Sequence, residues 1–229
     1  GVILESAWWT EFTERKIRTT LCLADSCKGT YGDVVLILTA VLSAMASECW
    51  PGKGFDRKRF VQLLVGSATT TKTISIPRLE KYLLSNDAVE EADLLSRAFF
   101  PDSYSGRILL GPDVDQEEGA VISLIGGSTP LTTIRNFSYA SLIYKEIRSS
   151  YAHEYKIGNQ ADVIKMTGSD KSIVSYVNMG EDLDRLIHFP LHLIADVTLQ
   201  CAASVDNFQD SIPISEPVTW WIDEKNICT

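Results

Sequence analysis

DVVLILTAVLSAMASECW, residues 33 to 50, is apolar or small at every position between Asp33 and Glu48 except Thr39, Ser43 and Ser47. A helix made from it has no polar face, which is the pattern of the central helix of a bundle. Asp33 is placed to cap its start, and Pro51, Gly52 and Gly54 end it. The uninterrupted apolar run spans Val34 to Ser47. A bilayer span needs about 20 such residues, so a run of this length with acids at both ends reads as a core helix, not a membrane anchor.

Amphipathic segments surround this one. Ala7 to Lys28 carries Trp8, Phe12, Ile17, Leu21 and Leu23 with charges between them, the mark of a helix that buries one face. Asp56 to about Ala68 is a basic amphipathic helix. It has Phe60, Val61, Leu63 and Leu64 as its buried stripe and Arg57, Lys58 and Arg59 near its start. Cations in a first turn oppose the helix dipole. They read either as a solvated face or as a patch that attracts phosphate. Shorter helices are expected over Ser75 to Ser85 and Asp87 to Phe100.

Residues 101 to 133 are punctuated by Pro and Gly and made acidic by Asp113, Asp115, Glu117 and Glu118. About thirty residues cannot build a core of their own. This stretch therefore reads as an insertion within one domain over 1–207, with a short helix near Asp115 to Ile125. A long helix is expected from Phe137 to Tyr155. Asp162 to Met166 and Ile173 to Val177, around Gly168-Ser169-Asp170, suggest a β-hairpin. Pro190 then opens a last apolar helix reaching about Val205. Residues 208–229 form a tail containing Trp220 and Trp221.

The expected fold class is all-α: a helical bundle with a small β-hairpin before the last long helix. With 229 residues and 45% hydrophobic content, one sizeable core is affordable. The net charge of -9 argues against a protein that coats nucleic acid or anionic lipid without specificity. Five cysteines, at 22, 27, 49, 201 and 228, show no CxxC spacing. They read as reduced thiols, which with the missing signal-peptide pattern suggests a cytoplasmic protein.

No phosphate-binding glycine loop, nucleophile elbow, zinc-protease motif or calcium loop is present. Three histidines occur. His188 and His192 are four apart, but Pro190 between them starts the helix, so they do not share a helical face and no metal site is expected. His153 instead follows Arg148 by five residues on one helix. On a straight α-helix that offset means a divergence of roughly 140° and a rise of about 7.5 Å. Two such side chains meet one ligand only across a groove, or when a second subunit completes the site. Imidazole can move a proton near neutral pH, and guanidinium can hold a phosphate in two-pronged fashion, so the pair suits phosphodiester chemistry.

Arg148-Ser-Ser-Tyr-Ala-His153 resembles the R-x4–6-H motif of the HEPN superfamily, whose members are helical domains of toxins, phage-defence proteins and CRISPR-associated ribonucleases. Further phrases are similar to a plasmid and defence-island branch of it: Cys49-Trp50-Pro51-Gly52, Asp56-Arg57-Lys58-Arg59-Phe60, Leu142-Ile143-Tyr144-Lys145-Glu146-Ile147-Arg148 and Ile187-His188-Phe189-Pro190-Leu191. The resemblance covers about residues 9 to 207. It implies a homodimer and a metal-independent, cofactor-free endoribonuclease, with RNA as substrate and an antitoxin or defence partner. In this picture His153 moves the proton and Arg148 stabilises the phosphate in the transition state. Many active members have Asn, Asp or His after the Arg. Here Ser149 stands there, and orienting the imidazole would pass to Glu146 or Glu154, with Ser149 and Tyr151 supporting the site. The same resemblance also fits a non-catalytic dimeric interaction or nucleotide-binding domain, or a surface helix on which Arg148 merely complements the dipole.

Overall fold

The computed structural model describes residues 7–25, 30–100, 108–162, 172–178 and 185–208. The central helix, α2, runs Tyr31–Cys49, and its N-cap is Thr30 rather than the expected Asp33. The Thr30 side chain accepts from the Asp33 amide (3.3 Å), and Asp33 accepts from the Thr30 amide (2.6 Å). This reciprocal capping box satisfies two orphan amides and moves Asp33 into the first turn. By length and composition α2 could cross a membrane, but 56% of its apolar stretch is buried inside the protein. Val35, Leu38, Met45 and Ala46 are fully enclosed.

Helix α1 (Trp8–Asp25), α3 (Asp56–Ser67) and α11 (Leu191–Phe208) pack around α2. The two chain-distant helices are also tied by polar contacts. Asp206 accepts from the Trp9 and Thr10 amides at 2.9 and 2.8 Å. A carboxylate from α11 thus serves the first turn of α1, where its negative charge complements the positive end of the dipole.

Helices α4 (Ile76–Ser85) and α5 (Val89–Phe99) lie close to the expected ranges. Strand β1 (Ile108–Leu110), α6 (Gly111–Val114), α7 (Glu118–Ile125) and α8 (Leu131–Arg135) follow. Val121, Ile125 and Ile134 from this acidic stretch join Ile74, Ile76, Leu79 and Leu95 in a second apolar cluster.

Asp115 does not begin a helix as expected. It is 9% exposed, with one carboxylate oxygen accepting from the Ile76 amide (3.0 Å). The other accepts from the Tyr139 hydroxyl and the Tyr176 hydroxyl (2.6 Å). Tyr176 in turn lies 2.7 Å from the Ser75 hydroxyl. Burial pushes the Asp115 carboxyl up to about 7 despite these three donors.

The motif helix is continuous from Tyr139 to Glu154 but not uniform. It starts as α9 (Tyr139–Leu142), widens into a π-helical segment over Ile143–Ser149, and ends as α10 (Ser150–Glu154). Tyr155, at φ 51°, stops it in the left-handed region.

Strands β2 (Ser175–Asn178) and β3 (Arg185–His188) precede α11. The small hairpin is there, but its pairing differs from the expected one. β2 pairs antiparallel with β3 on one side and with β1 on the other. Both edges of β2 are therefore occupied; of the expected partner, Asp162 to Met166, only Asp162 is described, and its amide donates to the Ile187 carbonyl of β3. Residues 163–166 and the Gly168-Ser169-Asp170 turn lie outside the described residues, as does the tail beyond 208. Among the described residues the fold is mainly helical with a small three-stranded antiparallel sheet, in keeping with the expected helical bundle carrying a small β element.

Candidate functional site

Arg148 occupies the π-helical segment, a widened turn that recurs at functional sites. Its Nε donates to the Ser43 hydroxyl on α2 (3.3 Å), and its guanidinium carbon lies 5.3 Å from the Tyr144 ring. The side chain is half-buried and held on two sides. Around Ser43, the face of α2 left uncovered carries Ile37, Ala40 and Ala44 and ends at the exposed Glu48.

The C-terminal end of the motif helix docks on the start of α2. Gly32 has no side chain, and the Tyr151 ring fills that space; a Cβ there would stand 2.7 Å from the ring. The Tyr155 hydroxyl donates to Asp33. That bond, with those from Thr30, holds the Asp33 carboxyl below its ordinary range.

The other expected residues fall into two groups. His153 and Glu154 are exposed on the last turn. Glu154 pairs with Lys156 at 2.7 Å. That contact, and then the nearby His153, keeps its carboxyl low. Ser149 is half-buried. Glu146, by contrast, is 3% exposed and tucked beneath the 158–160 loop. One of its oxygens accepts from the Gln160 amide (3.3 Å), the other lies 3.2 Å from Lys145, and a Cβ on Gly158 would collide with it. Tyr151 is buried as a packing residue. Among the described residues no hydrogen bond or ion pair joins Arg148 to His153, so one chain presents both groups without assembling them.

His188 ends β3, buried, with Nδ1 2.9 Å from the Asp162 carbonyl. His192 lies on α11 beyond Pro190, so the two do not share a helix. Among the described residues no group of three His, Cys, Asp or Glu is arranged to hold a metal ion. Cys49 and Cys201 are buried free thiols, pushed up to about 11 and about 12 by burial.

The basic run at the start of α3 divides by role. Arg59 donates to the Trp50 and Gly52 carbonyls, both at 3.2 Å, and pairs with Asp56, so it closes the α2–α3 turn. Arg57 faces the other way and lines a cavity with Arg78, Lys81 and Lys145. Sequence reading left Arg57 as part of either a solvated face or a phosphate-attracting patch and did not offer these three partners, which come from elements far apart in the chain.

Comparison with protein-family models, with curated proteins and with solved structures finds no match to this chain. Any functional reading therefore rests on its own residues and on the motif resemblance.

Proposed function

We propose that the protein is a metal-independent endoribonuclease of HEPN type, acting as a homodimer in which Arg148 and His153 of two chains share one cleft. The observation that carries this reading is the placement of Arg148. It lies beside Ala40 and Ala44 on the uncovered face of α2, held by Ser43 and Tyr144, while His153 stands exposed on the next turns of the same helix. Small residues let a second backbone approach closely, and the approach would set one chain's imidazole against the other's guanidinium.

In the proposed reaction the ribose 2′-oxygen attacks the adjacent phosphorus and the bond to the 5′-oxygen breaks. One imidazole accepts the 2′-hydroxyl proton, and the departing 5′-oxygen takes up a proton. The products are a 2′,3′-cyclic phosphate end and a 5′-hydroxyl end. The guanidinium offsets the charge that builds on the phosphate oxygens.

A non-catalytic dimeric or nucleotide-binding domain is the second reading. Two features favour it: Ser149 follows the motif arginine, and Glu146 is committed to the 158–160 loop and so unable to orient His153. Incubating the purified protein with total cellular RNA in EDTA tests the choice. Cleavage leaving cyclic phosphate ends supports the enzyme; intact RNA across varied substrates supports the binding domain.

A further inference from the structure

Helix α4 carries Arg78, Lys81, Tyr82 and Ser85 on one face, at the i, i+3, i+4 and i+7 positions. That face, Arg57 of α3, Asn136 and Phe137 from the turn before α9, Leu142 and Lys145 of the motif helix, and Gln160 line a half-open cleft of about 350 Å³. Four of the ten lining residues are cationic and none is acidic. The chain as a whole carries a net charge of -9, so these four cations are gathered against its overall sign. Cations gathered in a concave site focus potential and draw anions.

From this geometry we infer that the cavity binds a small phosphate monoester with an aromatic body, of the size of a nucleoside monophosphate. The proposal does not depend on the Arg148–His153 reading.

Three observations favour this occupant. The guanidinium groups are pre-oriented: Arg57 donates to the Asn136 side-chain oxygen (2.8 Å) and Arg78 to the Arg185 carbonyl (3.1 Å). A fixed planar fork suits phosphate oxygens better than a mobile ammonium does. Burial works against the charge on Arg57, and an anion in the cavity would offset that cost. The rim is aromatic: the Tyr82 ring is 5.1 Å from Phe137 and 41% exposed, so it can accept a stacked base. Ligand sites span roughly 300–1,000 Å³, so this one admits a mononucleotide rather than a dinucleotide. Lys145 is shared with Glu146 and Gln160 and contributes least.

Calorimetric titration of the full chain with adenosine 5′-monophosphate, inorganic phosphate and adenosine tests the proposal. Saturable binding of the monophosphate is expected, with phosphate weaker and adenosine weaker still. Lys81→Glu should weaken monophosphate binding about tenfold or more, and Tyr82→Ala should weaken it severalfold. Lys16→Glu, at an exposed position of α1, makes the same charge change elsewhere and should leave binding unchanged. Circular dichroism of each variant checks that the fold persists. Several outcomes overturn the inference: no saturation up to millimolar monophosphate, equal loss in the Lys16 and Lys81 variants, or binding confined to an oligoribonucleotide. Phosphate binding as tightly as the monophosphate overturns the role assigned to Tyr82 and Phe137.

Discussion

Arg148 and Ser43 meet across the boundary between the motif helix and α2, guanidinium Nε to hydroxyl oxygen at 3.3 Å. Among the described residues no hydrogen bond engages the two terminal guanidinium nitrogens, and the Tyr144 ring packs against the group at 5.3 Å. That is the arrangement a phosphate clamp needs: a cation whose orientation is settled before the substrate arrives.

If the protein cuts RNA, His153→Ala should lower the rate by about a hundredfold or more through loss of proton transfer. Arg148→Ala should cost a similar factor through lost charge stabilisation. Ser43→Ala should act on the same step more mildly, since it frees the guanidinium without removing it. Single-turnover cleavage in EDTA reads all three. Full activity in the His153 variant, or a requirement for added magnesium, would falsify the proposed mechanism.

The dimer is expected to use the uncovered face of α2. Ala44→Glu places a charge beside Ser43 without touching the core and should weaken self-association at least tenfold. Sedimentation at micromolar concentration measures this. A wild-type protein that is strictly monomeric there removes the dimer, and with it the shared cleft.

Stability should separate core from site. Leu38→Asp buries an unpaired charge inside α2 and should cost several kcal/mol, enough to unfold the domain. Arg148→Ala should cost about 1 kcal/mol or less. Gly32→Ala falls between, at about 1–3 kcal/mol, because its Cβ meets the Tyr151 ring. Chemical denaturation ranks the variants. Equal large losses for Arg148→Ala and Leu38→Asp would make Arg148 a structural residue.

Asp115 makes stability pH-dependent. Its folded pKa of about 7 lies above the ordinary 3.8, so between those values the folded state binds the proton more tightly than the unfolded state does. Stability from this group is therefore highest at low pH, falls as pH rises through the window, and is flat above about 7. The slope is at most about 1.4 kcal/mol per pH unit. Denaturation of the wild type and of Asp115→Asn at pH 4.5 and 7.5 should show the wild type losing ground relative to the variant. A constant difference between the two proteins would show that Asp115 does not titrate in this range.

The amino-acid sequence alone determined the central helix, because a short apolar run with acids at both ends and breakers after it belongs in a core. It likewise set α1, α3, α4, α5 and α11, whose apolar stripes and breakers are local signals. The spacing of Arg148 and His153 and the basic run at Arg57 were also visible without coordinates. Tertiary structure decided the rest, in each case because the deciding partner is distant in sequence. The sheet uses β1 and β3 on either side of β2, since pairing depends on which edges the packed helices leave open. Asp115 reads as a surface acid until Tyr139, Tyr176 and the Ile76 amide surround it. Glu146, a candidate to orient His153, turned instead beneath Gly158 and Gln160. The cationic cavity exists because α3, α4 and the motif helix converge, bringing together Arg57, Arg78, Lys81 and Lys145. Local periodicity records which face of an element is buried, but not what lies opposite it.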